Sequence, residues 1–166
     1  MAESRELNMK VSAQEEYGLR CLLRIGGANQ SSGLTIPEIS EMEGLTPANV
    51  AKLLRILRLG GFIESARGRS GGYKLAHPAE QIIIGNALNV LGGKIYEETF
   101  CDSHTGAINV CHHIIDCSMR SLWRSVQNAV NVVLSRITLR DMLGNEKVVT
   151  ELMTAMNKEI METQIT

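Results

Sequence analysis

Three features predict a mainly α fold with a small β-wing: a winged helix-turn-helix followed by a long C-terminal dimerisation helix. Two short capped helical patterns meet at Gly44-Leu45-Thr46. Two brief strand-like runs flank the glycine-rich basic tip Arg67-Gly68-Arg69-Ser70-Gly71-Gly72. An apolar stripe then recurs at three and four residue intervals from Met119 to Ile137. Each feature has a local physical cause.

The first helix is expected over 12–25. Ser12-Ala13-Gln14-Glu15 is a capping box, in which hydroxyl and carboxylate satisfy orphan amides reciprocally. Tyr17, Cys21, Leu22 and Ile25 follow at helical spacing, with Leu19 and Leu23 widening the stripe, and Gly26-Gly27 opens a polar loop. A second helix starts at Thr35, with Glu38 three positions on, and runs through Ile36, Ile39 and Met42 to Gly44. Thr46 is a good N-cap for a third, and Pro47 suits the first helical position because its missing amide would be unpaired there anyway. That helix ends at Gly60-Gly61. Phe62–Ala66 and Tyr73–Leu75 read as the wing strands, Gln81–Ile84 as a brief strand and Asn86–Leu91 as a short helix. A long helix spans 118–137 and is the expected homodimer seam, Thr138-Leu139-Arg140-Asp141 opens another cap, and Val148 to Ile160 form a last amphipathic pattern. The expected organisation is a DNA-binding head over 1–93, a cysteine-rich loop over 94–117, and a dimerisation helix with its tail over 118–166.

Composition bounds the function. The 166 residues are 44% hydrophobic and 21% charged, ordinary for a globular chain. No apolar run reaches the roughly 18 residues a bilayer span needs. Glu3, Arg5, Glu6 and Lys10 interrupt the place where a secretory apolar segment would lie, so the cytoplasm is the default compartment. The net charge of -1 conceals an island: residues 47–75 carry six basic residues against Glu64, or +5, while the segments on either side sum to -3 each. Such an island is the electrostatic footprint of a nucleic-acid reader. No nucleophile-base set or cofactor fingerprint points to an enzyme.

On the third helix, Val50, Leu53, Leu54 and Leu57 share the buried phase, which turns Ala48, Asn49, Lys52 and Arg55 outward. A small, polar, basic face suits a major groove, where Asn reads adenine edges and Arg reads guanine or grips phosphate. Arginines on the tip suit a narrow minor groove. Thr46, Ala48, Asn49, Lys52, Arg55, Arg67, Arg69 and Ser70 are therefore the candidate contacts to a double-stranded DNA operator.

Of four cysteines, Cys21 stands alone in an apolar pattern and reads as a buried small hydrophobe. Cys101, Cys111 and Cys117 are spaced C-x9-C-x5-C, neither a zinc knuckle nor a ferredoxin run. By spacing alone, an iron-sulfur cluster, zinc, and inert or redox-active thiols all stay open.

The strings Met9-Lys10-Val11-Ser12 and Tyr17-Gly18-Leu19-Arg20, the helix from Thr46 and the wing from Glu64 to Leu75 carry a family resemblance, together with the cysteine loop and Leu122-Trp123 through Ile137-Thr138-Leu139-Arg140-Asp141. Over about residues 9–143 the chain resembles the Rrf-two family of winged-helix regulators. The resemblance implies a homodimeric transcription regulator whose three cysteines hold a two-iron or four-iron cluster (2Fe-2S or 4Fe-4S). The first cysteine interval is longer here than in relatives, and Arg120 stands where some members have a histidine ligand. In other members an acidic residue of the first helix reaches across from the second subunit, and Glu16 matches that position. Its competing role is an i,i+4 pair with Arg20, and His104, His112 and His113 are rival ligands.

Overall fold

The computed structural model describes residues 11–28, 33–66, 71–94, 96 and 117–163. They belong to two compact units, 1–76 and 77–166.

In the first unit, α1 (Ala13–Gly27) starts as its sequence dictates. The Ser12 hydroxyl accepts the Glu15 amide, and the Glu15 carboxylate accepts the Ser12 amide at 2.7 Å. Gly18, Cys21, Leu22 and Ile25 form its buried face. Thr35 and Glu38 build the same box ahead of α2 (Ile36–Glu43), which stops at Gly44 in the left-handed region, φ 65°. Thr46 then caps α3 (Pro47–Leu59), whose Val50, Leu53, Leu54 and Leu57 are buried. The wing strands β1 (Ile63–Ser65) and β2 (Tyr73–Leu75) pair antiparallel, with Glu64 opposite Lys74. Leu34 and Tyr73 exchange backbone hydrogen bonds of 3.0 and 2.7 Å, tying the root of the wing to the segment before α2. Only glycine fits beside that crossing, because a Cβ on Gly72 would lie 2.5 Å from the Leu34 carbonyl.

The second unit holds a 3-10 turn (Ala79–Gln81), α4 (Ile84–Leu91), α5 (Ser118–Leu134), α6 (Leu139–Met142) and α7 (Glu146–Thr163). The run Gln81–Ile84, expected as a brief strand, is divided: Gln81 ends the 3-10 turn, Ile83 makes an isolated bridge to Thr138, and Ile84 already begins α4. The bridge segment bonds the chain after α5, with the Ile84 amide donating to Ile137 at 2.9 Å and the Leu139 amide to Ile82 at 2.7 Å. Segment 77–91, grouped by sequence with the head, thus shares its core with α6, through buried Ile82, Ile84, Ala87, Leu91, Ile137 and Leu139. Helix α5 ends at Leu134 rather than 137. The Thr138/Asp141 capping box and the Asn145 side chain, which accepts the Val148 amide at 3.0 Å, open the last two helices. Among the described residues no helix is long and apolar enough to cross a membrane.

Candidate nucleic-acid interface

The face of α3 opposite its buried stripe presents Thr46, Ala48, Lys52, Arg55 and Arg58 exposed, with Asn49 half-buried among them. The Thr46 hydroxyl is occupied as the cap, accepting the Asn49 amide at 3.3 Å. The candidate major-groove residues of the head therefore share one solvent-facing surface. Arg67, Arg69 and Ser70 lie outside the described residues, but the strands that carry the tip are fixed. At the wing, Lys74 and Glu64 pair at 3.0 Å across the strands, both about half exposed.

The start of α3 is held from behind. Ser40 makes a side-chain hydrogen bond to the Leu45 carbonyl, and the Leu45 amide returns to the Ser40 carbonyl at 3.1 Å. One turn further on, the Glu43 side chain is only 2% exposed, and its two oxygens take two guanidinium groups of α1. Arg20 Nε donates to one at 2.6 Å, and Arg24 Nε donates to the other. Burial pushes the Glu43 carboxyl up, but the hydrogen bonds and charges of Arg24 and Arg20 outweigh it and hold it below the usual carboxylate range. The same bond pushes Arg20 further up. Arg20, the partner that the competing reading gave to Glu16, makes its hydrogen bond to Glu43 and lies over the Tyr17 ring at 5.7 Å. The sequence pattern counted Met42 with Ile36 and Ile39 as the apolar positions of α2, yet Met42 is 48% exposed and Glu43 is buried. The signal was available in the helical phase, since Glu43 lies four residues after Ile39 and seven after Ile36.

Glu16 is exposed on α1. Cys21 is fully buried, and burial with the Glu43 charge pushes its thiol up to about 11, so it stays protonated at neutral pH. Cys117 is a free, half-buried thiol immediately before α5, and its side chain takes no part in capping that helix. Cys101, Cys111, His104, His112 and His113 lie outside the described residues. Among the described residues no three metal-binding side chains gather. A second feature missed in sequence is Gln127, the buried residue of α5. Its amide oxygen accepts the Tyr96 backbone amide at 3.0 Å and its nitrogen donates to Asn131 Oδ1 at 2.8 Å, so the chain entering the cysteine segment is tied to the helix that follows it.

The family model described as an iron-dependent transcriptional regulator, Rrf2, matches residues 11–145. This chain belongs to the Rrf2 family. It is 31% identical over 135 residues to protein rrf2 of Nitratidesulfovibrio vulgaris, covering 81% of this chain and 87% of that protein. It is also 26% identical over 140 residues to the transcriptional regulator IscR of Cronobacter sakazakii, covering 84% and 83%. Among solved structures, IscR of T. potens superposes with a TM-score of 0.64 at 27% identity, covering 82% of this chain and 87% of that one. CymR, the global cysteine regulator of B. subtilis, gives 0.64 at 26%, covering 82% and 97%. The fold is thus that of winged-helix Rrf2 regulators, and the chain is a transcriptional regulator rather than an enzyme.

Proposed function

We propose that this Rrf2 regulator binds operator DNA as a homodimer and represses according to the state of an iron-sulfur cluster that senses iron, nitric oxide or redox conditions. The observation that carries the DNA reading is α3, whose Val50, Leu53, Leu54 and Leu57 are buried while Thr46, Ala48, Lys52 and Arg55 are open to solvent. Asn49 and Arg55 offer bidentate groups to base edges, Lys52 a point charge to phosphate, and Arg67 and Arg69 cations for a minor groove. The apolar stripe of α5, with Met119 and Leu122 about half exposed, supplies the seam on which a second copy packs.

Cys101, Cys111 and Cys117 would hold the cluster, with Glu16 reaching across from the first helix of the second subunit as the fourth donor. The donor chemistry fits, for thiolates suit iron, Cys117 has no competing structural bond, and Glu16 is an accessible carboxylate. When bound, a 2Fe-2S or 4Fe-4S cluster supplies a centre that oxygen or nitric oxide can alter. Cys117, directly before α5, ties the cysteine segment to the proposed seam, and Glu16 belongs to the helix whose next two turns grip α2. Protein purified without oxygen should show visible charge-transfer absorption with matching iron and sulfide. Cys101→Ala, Cys111→Ala and Cys117→Ala should each remove it, and Glu16→Ala should perturb it; colourless, iron-free protein with full DNA binding would remove the sensor. A Glu16→Ala spectrum identical to wild type would pass the fourth position to His104, His112 or His113.

A second reading keeps the DNA reader and makes the three cysteines a zinc site or a thiol redox switch. It is favoured by the likeness to CymR, described as a cysteine regulator, and by the half-buried free thiol of Cys117. Iron, zinc and sulfide analysis of one preparation separates the two.

A further inference from the structure

We propose that Glu43 is a positioning residue for DNA reading: gripped by Arg20 and Arg24, it fixes where the turn 44–46 delivers α3. The inference rests on the proposed role of α3 in the major groove. A carboxylate is an unfavourable choice for this place on two counts. It is buried, and it sits in the last turn of α2, where the helix dipole already concentrates negative charge. The phase of α2 would admit a leucine or methionine there, packing beside Ile39 without any desolvation penalty.

What the ion pair adds is direction. Apolar contacts between α1 and its neighbours hold helices together but tolerate sliding, whereas the two carboxylate oxygens are claimed separately by guanidinium groups one helical turn apart. Two anchor points fix both the position and the rotation of the end of α2. The path from there to α3 is short and already constrained. Gly44 takes the left-handed conformation, Leu45 is bonded to Ser40 through both its amide and its carbonyl, and Thr46 caps α3. A shift at Glu43 is therefore passed to Ala48, Asn49 and Lys52, the residues at the reading end of the helix. Base readout depends on such alignment; attraction to phosphate depends on it far less.

The experiment uses the full chain, a duplex enriched by the wild-type protein from a random-sequence pool, and a scrambled duplex of the same composition. Glu43→Gln should bind the scrambled duplex with the wild-type salt slope, yet its preference for the selected duplex should fall about tenfold. The triple replacement Arg20→Met, Arg24→Met and Glu43→Met covers the case in which the single variant does not fold. Replacing a buried carboxylate together with its half-exposed ion partners by apolar side chains is often neutral or stabilising, so the variant's melting temperature should stay near that of the wild type. Its preference should still be lost, which a merely stabilising cluster would not produce. A folded variant of either kind with wild-type preference overturns the proposal, and so does an equal loss on both duplexes. A wild-type protein that enriches no duplex removes the DNA reading itself, and the inference falls with it.

Discussion

Helices α3 and α5 carry the same apolar spacing and meet opposite fates. On α3 Val50, Leu53, Leu54 and Leu57 are at most 1% exposed, whereas on α5 Met119 and Leu122 remain about half exposed and the buried residue is Gln127. The head closes its own core with α1, α2 and the wing strands. Among the described residues, the C-terminal unit leaves part of its longest apolar stripe, Met119 and Leu122, open to solvent. Periodicity thus encodes that a face is apolar, and only the surrounding elements decide what covers it.

Substitutions should separate the two helices most sharply at their apolar positions. Leu54→Ala opens a cavity in a closed core and should cost about 2 to 5 kcal/mol in urea unfolding, independent of protein concentration. Leu122→Ala at half-exposed surface should change the unfolding of dilute protein by only about 0.5 kcal/mol. A large, concentration-independent loss from Leu122→Ala would break the comparison. Next in size, with α5 as the proposed seam between two copies, Leu122→Glu should weaken self-association about a hundredfold by sedimentation equilibrium, because a charge on an apolar seam is desolvated without a partner. Its far-ultraviolet spectrum and the melting of the head should stay unchanged.

Acid acts on the head through Glu43. Its folded carboxyl titrates below the usual range, so the stabilisation it contributes is fully present above the unfolded value of about 4.3 and is lost as pH falls through the folded one. The melting temperature of the wild type should therefore decline below about pH 4.3 more steeply than that of Glu43→Gln, which has no proton to gain. The loss should be smaller than that of Leu54→Ala, because a protonated Glu43 still accepts one guanidinium hydrogen bond. Parallel profiles would show that the pair gives the head no acid-labile stability.

What the sequence made legible was local. Ser12 with Glu15, Thr35 with Glu38 and Thr138 with Asp141 are complete within four residues, and each forms the reciprocal cap its spacing predicts. The faces of α3 were equally readable, since a run of thirteen residues is long enough to establish a phase. Gln81–Ile84 was not. Four residues of mixed phase are shared by a 3-10 turn, a bridge and a helix start, and the bridge partner Thr138 lies far along the chain. The Arg20 partner was hidden for the same reason. A local rule offers Glu16 at four residues, while the fold supplies Glu43 at twenty-three. In the candidate site, the outward residues of α3 were legible, and the clamp behind them and the Gln127 anchor were not, because each joins segments that come together only in the folded chain.

The smallest expected effect lies on the wing, where stability and binding should move in opposite directions. Glu64 is the sole acid within the basic stretch 47–75 and faces Lys74 across the strands at 3.0 Å. Both side chains are about half exposed, so screening leaves the pair a contribution of about 0 to 1 kcal/mol. Glu64→Ala should accordingly lower the melting temperature of the head only slightly. It should also release Lys74 and remove the one carboxylate of the basic stretch 47–75, strengthening binding to any duplex and steepening the salt slope by up to about one counterion. The change should be nearly the same on selected and scrambled DNA, since a phosphate contact carries no sequence information. A gain confined to the selected duplex would make Glu64 part of the base-reading surface, and would move the boundary between reading and anchoring residues from α3 into the wing.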